Sequence, residues 1–332
     1  MAISLTQTTL VVLIGLALAF DFLNGFHDAA NSIATVVSTG VLRPYQAVVW
    51  AAFFNFIAFA IFKLNVAATV GTGILAPEFV DARVISSALA GAILWGLITW
   101  YYALPTSSSH ALIGGMIGAG VSKAGTAALV PTGIWKTVAF IVVSPLLGLL
   151  LGGLLMVAVS WLCFRRSAYV VDQWFRRLQL LSSALYSVGH GSNDAQKTMG
   201  LIWLMLISAG ATSRDHLPLW VVVSCYIAMA LGTLFGGWRI VRTMGQRITK
   251  LKPVGGFAAE TGGALTLFLA TSLGVPVSTT HTITGAIVGV GSTQRASAVR
   301  WGVAGNIVVA WVITIPAAAL IAIAAWWLVG LG

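Results

Sequence analysis

Two stretches of the chain place acids, amides and bases where the flanking sequence is apolar enough to lie in lipid. The first is 25-GFHDAANS-32, with His27, Asp28 and Asn31; the second is 185-LYSVGHGSNDAQKTMGLI-202, with His190, Asn193, Asp194, Gln196 and Lys197. An ionised carboxylate in hydrocarbon is costly unless it faces a wet cavity or a cation. Asp and Asn side chains together with freed backbone carbonyls make a hard-oxygen site for a small cation, and a carboxylate alone can carry a proton. Gly25, Gly189, Gly191 and Gly200 weaken a helix, so the expectation is that the backbone opens there and offers its carbonyls as ligands. For either stretch taken singly, a buried hydrogen-bonded contact between helices is an equally good reading.

A second pair of stretches carries anion chemistry. In 105-PTSSSHALIGGMIGAG-120 and 276-PVSTTHTITGAIVGVG-291 a proline ends one helix and hydroxyl residues open the next as caps. Each tip then offers hydroxyl donors, unpaired backbone N–H groups and the positive end of a helix dipole, which is an anion site that needs no arginine. An ordinary helix cap explains one such tract. Two of them, each accompanying an aspartate stretch, favour the anion site, to which Lys197 adds a full positive charge unless it pairs with Asp194.

The elements that must position these groups follow from repetition and hydropathy. The segment 25-GFHDAANS-32 aligns with 191-GSNDAQKT-198 at an offset of 166, and the two proline-hydroxyl tracts align at 171, so the chain reads as two homologous halves, 1–164 and 165–332. With 58% hydrophobic and 8% charged residues and a mean hydropathy of +0.96, the chain is a membrane protein partnered by the lipid bilayer. Apolar runs long enough for membrane helices lie near 8–23, 45–62, 84–104, 134–164, 198–211, 217–238, 257–275 and 299–330. The first reads as a retained helix, not a removed signal peptide.

The formal charge of +10 does not point to nucleic acid, because the basic residues lie mostly in loops between apolar runs. Arg165, Arg166, Arg176 and Arg177 form one cluster, and Arg239, Arg242, Arg247, Lys250 and Lys252 another; both belong in the cytoplasm by the positive-inside rule. The chain between them must then go out and return, with Arg214 at the outer turn. Arg295 and Arg300 also prefer the inside, so the segment around Pro276 is a hairpin that enters and turns back. Three crossings and one hairpin per half is an odd count, which inverts the first half relative to the second and leaves both termini outside. Twelve of the 18 Lys and Arg residues then lie inside. Runs 134–164 and 299–330 are long enough to be two short helices each, which leaves the crossing number open. The expected fold is an all-α polytopic membrane protein of two inverted-topology repeats, each with transmembrane helices and a re-entrant helical hairpin. Cys163 and Cys225 have no paired spacing, so neither a zinc site nor a disulfide framework is expected.

With these residues in view, the chain resembles the inorganic phosphate transporter family known as PiT, and its bacterial low-affinity branch. GFHDAAN and GSNDAQK look like the paired signatures of that family, and PTSSSH and PVSTTH like its two hairpin tips. The resemblance covers nearly the whole chain. It implies cation-coupled uptake of inorganic phosphate across the plasma (inner) membrane by a homodimer, with no cofactor beyond the coupling ion. It places Ser107, Ser108, Ser109, Ser278, Thr279 and Thr280 around phosphate; Lys197 and Gln196, polar groups in the stretch that holds Asp194, are further expected contacts. Asp28, Asn31, Asn193 and Asp194 would form the coupling site, and Asp28 and Asp194 would ligate metal if the ion is sodium or if a divalent metal travels with phosphate.

Departures from the pattern bear on the coupling ion. His27 stands where the signature commonly has Asn, and Lys197 stands where the first half has Asn31. The His form resembles a branch that uses protons and accepts metal-phosphate complexes, and imidazole exchanges protons near neutral pH. Proton coupling is therefore expected, with sodium as the alternative. Glu260, in an apolar helix, has no acidic counterpart in the first half, where Leu89 aligns; this asymmetry marks it as a coupling ligand, with a carboxyl paired to a nearby hydroxyl as the alternative. His110 and His281 fit a proton relay and a structural strut equally well. Sulfate is a rival substrate within the same fold. A lipid phosphatase is disfavoured, since no arginine accompanies the hairpin motifs, and a passive anion channel has no need of two buried aspartates.

Overall fold

The apolar runs become helices throughout the computed structural model, which describes residues 7–329. In chain order these are α1 (Gln7–Ser38), α2 (Pro44–Ile57), α3 (Asn65–Gly73), α4 (Ala82–Tyr101), α5 (Ser108–Ala124) and α6 (Pro131–Leu162). Then come α7 (Ala168–Ser208), α8 (Leu219–Phe235), the short α9 (Trp238–Arg242), α10 (Pro253–Ser272), α11 (Thr279–Gln294) and α12 (Trp301–Val329). No β-strand occurs among the described residues, only an isolated bridge between Leu75 and Leu129. The chain termini, expected outside, lie beyond the described residues.

Among the described residues four helices, α1, α4, α6 and α12, are long and apolar enough to cross a membrane, and up to six spans result if two bent pairs are each counted as one. The outward faces fit that environment: Val142, Leu146, Leu150 and Leu154 of α6 are all exposed. The runs at 134–164 and 299–330 are single helices rather than two short ones, although Pro145 and Pro316 lie inside them. Proline cannot bond the carbonyl four residues back. In α6 the carbonyl so released belongs to Ile141, which lies 3.5 Å from His281 Nδ1 of α11.

Elsewhere the spans expected from hydropathy are broken. The run at 45–62 ends in a 3₁₀ turn, and α3 then sets off at 81° to α2. The new helix can start inside the protein because the Gln196 side chain of α7 accepts bonds from Val66 N (3.0 Å) and Ala67 N (3.3 Å). The run at 217–238 stops at Gly236, whose φ of +63° turns the chain by 62° into α9.

Two helical hairpins are present. The α4 helix packs on α5 and α10 packs on α11, and each pair is clamped by a helix from the other half of the chain: α12 lies on α4 and α5, and α6 on α10 and α11. The crossing of α1 and α7 runs through the centre. Neither central helix opens at its glycines, contrary to the expectation of freed carbonyls: both are helical from end to end. The glycines instead let other backbones approach. A Cβ on Gly25 would stand 2.1 Å from the Met229 carbonyl oxygen of α8, and one on Gly191 2.4 Å from that of Asn55 in α2. Gly200 meets Ala67 of α3 in the same way. In lipid, where apolar burial drives helix association weakly, such close contacts hold helices together.

Gly25→Ala should therefore destabilise the protein by about 2 kcal/mol, because the contact atom is backbone and cannot swing aside. Gly15→Ala, with nothing within 4 Å of its added Cβ, should change stability by less than about 0.5 kcal/mol. Thermal unfolding in detergent, followed for both variants beside the parent, checks the contrast.

Candidate functional site

The hydroxyl tracts do form helix starts. Ser107 Oγ accepts the His110 N–H (3.3 Å) at the head of α5, and Ser278 Oγ accepts the His281 N–H (3.1 Å) at the head of α11. The preceding helices stop before the prolines, at Tyr101 and Ser272, so Pro105 and Pro276 lie in the linkers. Both heads point into the protein, where Ser107, Ser109, Thr279 and Thr280 are buried. They also touch each other. Thr280 Oγ1 donates to the Thr106 carbonyl (3.1 Å), and Ser109 Oγ donates to the Val277 carbonyl (3.2 Å).

The α1–α7 crossing delivers the charged groups to this contact. From α1, Asp28 Oδ2 accepts the Ser108 hydroxyl at 2.7 Å, and Asn31 Nδ2 donates to Thr279 Oγ1 (3.1 Å) and Thr280 Oγ1 (2.9 Å). From α7, Asp194 Oδ2 accepts the Thr279 hydroxyl at 3.0 Å. The Lys197 ammonium bonds Asp194 Oδ1, Ser109 Oγ and the Val277 carbonyl. An ammonium has three donors, and all three are used. Lys197 therefore bridges both tips and one carboxylate, and pairs with Asp194, the arrangement weighed from sequence as the alternative to an uncommitted phosphate contact.

Two histidines adjoin the aspartates. His27 Nδ1 lies 2.8 Å from Asp28 Oδ1, with Nε2 3.2 Å from Thr99 Oγ1. With the proton on Nδ1, the Thr99 hydroxyl can donate to Nε2; a proton gained at Nε2 only requires that hydroxyl to turn to the Trp95 or Gly96 carbonyl, both within 3.1 Å. His190 Nδ1 sits near Asn55 Oδ1 (3.2 Å) and the Ser32 hydroxyl, while Nε2 lies 3.1 Å from Asp194 Oδ2. When Nδ1–H serves Asn55, the Nε2 lone pair faces a carboxylate, an arrangement that calls for a proton or a cation between them. Asp28, His190 and Asp194 can each offer one ligand atom, all within 4.8 Å of one another. These residues thus fit a cation of hard-oxygen preference or a divalent metal carried with an anion.

Three expected site residues are placed elsewhere. Gln196 caps α3 and donates to the Lys63 carbonyl, so its amide is held away from the tips. Asn193 braces the second tip from behind, donating to Thr271 Oγ1 and the Val275 carbonyl and accepting the Val277 N–H. Glu260 lies one turn along α1 from Asn31, where it accepts Thr35 Oγ1 (2.6 Å), Ser182 Oγ (2.5 Å) and Gln179 Nε2 (2.9 Å). His110 and His281 stack edge to face behind the tips, 4.6 Å apart, with His281 on Trp311. Sequence reading missed His190 as a site member, although its place four residues before Asp194 puts both on one helix face. It also missed Thr99, Thr106 and Tyr186, whose hydroxyl fixes the Thr279 carbonyl (3.0 Å). A cavity next to this cluster, lined by Asn24, His27, Trp100 and Ser108 among others, holds about 30 Å³. That is room for a water and too little for a tetrahedral oxyanion.

Comparison with known proteins bears on what this site handles. Residues 24–322 match the model of the phosphate transporter family. A probable low-affinity inorganic phosphate transporter of Rhizobium meliloti (strain 1021) is 63% identical over 313 residues, covering 94% of each chain. A protein of Bacillus subtilis (strain 168) with the same description is 43% identical, covering 100% of this chain and 99% of its own. Among solved structures, one titled "The sodium-dependent phosphate transporter" matches with a TM-score of 0.89 and 27% identity, over 98% of this chain and 100% of that one.

Removing one partner of a buried ion pair leaves the other charge stranded. Lys197→Met should therefore cost about 3–5 kcal/mol of stability, and the double variant Lys197→Met/Asp194→Asn should recover part of that loss. Thermal unfolding of the two single variants and the double variant measures the coupling.

Proposed function

The chain belongs to the phosphate transporter family, and from that premise we propose that it is a proton-coupled symporter that binds inorganic phosphate between its two hairpin tips. The observation that carries this reading is the reciprocity of the tip contacts. At the offset of 171, Ser109 to Val277 corresponds to Thr280 to Thr106. Asp28 takes the Ser108 hydroxyl as Asp194 takes that of Thr279, and Asn31 reaches Thr280 as Lys197 reaches Ser109. Each contact has its counterpart in the other half, as a two-fold relation requires. Together with the distribution of basic loops, this supports two repeats, 1–164 and 165–332, inverted about an axis in the membrane plane. In that arrangement the basic loops lie in the cytoplasm and both termini outside.

With the tips in contact the site is shut. Phosphate entry requires them to part, whereupon the hydroxyls, the first N–H groups of α5 and α11, and the Lys197 donor given up by one tip turn to the anion. Alternating access follows if the tips part toward one face and then the other. Asp28 and Asp194 are acceptors beside these donors. A protonated phosphate can donate to them, while sulfate has no proton to give, which favours phosphate. His27, between Asp28 and a hydroxyl free to turn, is suited to taking up the coupling proton. A divalent metal entering with phosphate would be held by Asp28, His190 and Asp194. The relatives named above are described as transporters, not enzymes, and the phosphatase reading is set aside.

Sodium coupling is the second reading, favoured by the solved structure of a sodium-dependent phosphate transporter. Its support within this chain is the buried Glu260 carboxylate with the hydroxyl oxygens of Thr35 and Ser182 against it.

Radiolabelled phosphate uptake into proteoliposomes, with pH and sodium gradients imposed separately, decides between the two. The expected result is uptake driven by an inward proton gradient without sodium, resistant to excess sulfate and reduced by about a hundredfold or more in Asp28→Asn. Uptake that requires sodium at every pH would move the coupling role to the second reading, and strong sulfate transport without phosphate uptake would overturn the substrate.

A further inference from the structure

Seven residues before Asp28, and so on the same face of α1 two turns earlier, stands a second buried acid that the phosphate site does not use. Asp21 is 0% exposed. Its Oδ1 accepts the Thr198 hydroxyl of α7 at 2.9 Å, while Oδ2 has no hydrogen-bond partner. Asn24, one turn on, is also buried, and its Oδ1 is likewise without a donor. None of the ion pairs among the described residues involves Asp21. The titratable groups that face it are Cys225 and Tyr226 of α8 and, farther off, Asp194 of α7; none is a cation. A bare carboxylate in this position has no countercharge among the described residues. A proton neutralises the charge and turns the unpartnered Oδ2 into a hydroxyl, the form of the acid that burial tolerates.

We propose that Asp21 is a proton-binding site of the transport cycle, separate from the phosphate contacts and lying between them and the outer surface. The direction rests on the topology and the proton coupling proposed above, in which α1 runs inward from an external N-terminus. Seven helical residues rise about 10 Å, so Asp21 lies about that far outward of Asp28. Asn24 connects the two: it neighbours Asp21 and lines the water-sized cavity that also meets His27 and Ser108. At the repeat offset of 166 the second half has Ser187, so the acid is present on one side only. A proton from the outer side adds to Oδ2 of the carboxylate, stays while phosphate binds, and leaves to water once the site opens inward; no other bond changes.

The test has two independent readouts on the purified full-length protein. Infrared difference spectra of the parent against Asp21→Asn report the carbonyl stretch of a protonated carboxylic acid. The expected result is a band that Asp21→Asn lacks and that Thr198→Val, which removes the hydroxyl partner, shifts without abolishing. In sodium-free proteoliposomes, one coupled proton sustains about tenfold accumulation of phosphate per pH unit of gradient. Asp21→Asn should lose about that factor while retaining phosphate exchange at equal pH, which shows that the variant is folded and binds its substrate; Asp21→Glu should regain accumulation. Absence of the band, or accumulation in Asp21→Asn equal to that of the parent, overturns the proposal. Failure of the parent itself to accumulate phosphate under a pH gradient overturns proton coupling instead, and the infrared band still decides whether Asp21 holds a proton.

Discussion

The fold turns on one buried ammonium. Lys197 sits where neither water nor lipid can stabilise its charge, and it is satisfied only because Asp194 supplies the countercharge and the two hairpin tips supply the other acceptors. Each of its bonds comes from a different element: α7 itself, the head of α5, and the linker before α11. The hairpins enter from separate parts of the chain, and the same charge that pairs with Asp194 draws them together. A point charge with three rotatable donors is well suited to exchange one acceptor for another. The anion that replaces a tip carbonyl at Lys197 would break the contact between the tips by the act of binding.

Around that charge the two halves are alike in hydrogen-bond pattern and unlike in charge. Asn31 and Lys197 occupy equivalent places and both reach across to the opposite tip, but one does so neutrally. Asp28 and Asp194 are equivalent too, yet Asp194 has a cation and Asp28 has only His27. An ion entering near Asp28 therefore meets a less compensated carboxylate than one entering near Asp194. The remaining buried acids are also unpaired between halves: Asp21 and Glu260 flank Asp28 along α1, one through its own position and the other through Thr35, seven residues on either side of it. In the proposed inverted arrangement, a symmetric frame would let the site face either side, and its unequal charges would give the cycle a direction.

Much of this was legible in the sequence, because some of the physics is local. A proline followed by hydroxyls before an apolar helix is a capping signal, and Ser107 and Ser278 cap as that signal says. The repeat offsets told which residues would be equivalent before any contact was known. What local pattern could not tell was the partner. Gly25, Gly191 and Gly200 read as weak points in a helix, and they are instead places where a second backbone lies against an intact one, since buried N–H and C=O groups stay paired when the helix remains whole. Gln196 read as a ligand because it lies in a polar stretch; the broken start of α3, far away in sequence, claimed its amide. Asp21 passed unnoticed because it precedes the motif, although its spacing of seven from Asp28 already put it on the same face.

In the proposed transport cycle the tips held together by Lys197 must separate for phosphate to pass. His110→Cys and His281→Cys, introduced into a background with Cys163 and Cys225 replaced by serine, put a thiol pair across the two tips, where the imidazole rings stand 4.6 Å apart. Phosphate uptake should be lost when the pair is oxidised and return on reduction, and phosphate in the buffer should slow the cross-linking. Cross-linked protein that still transports phosphate at the rate of the reduced form would contradict the account.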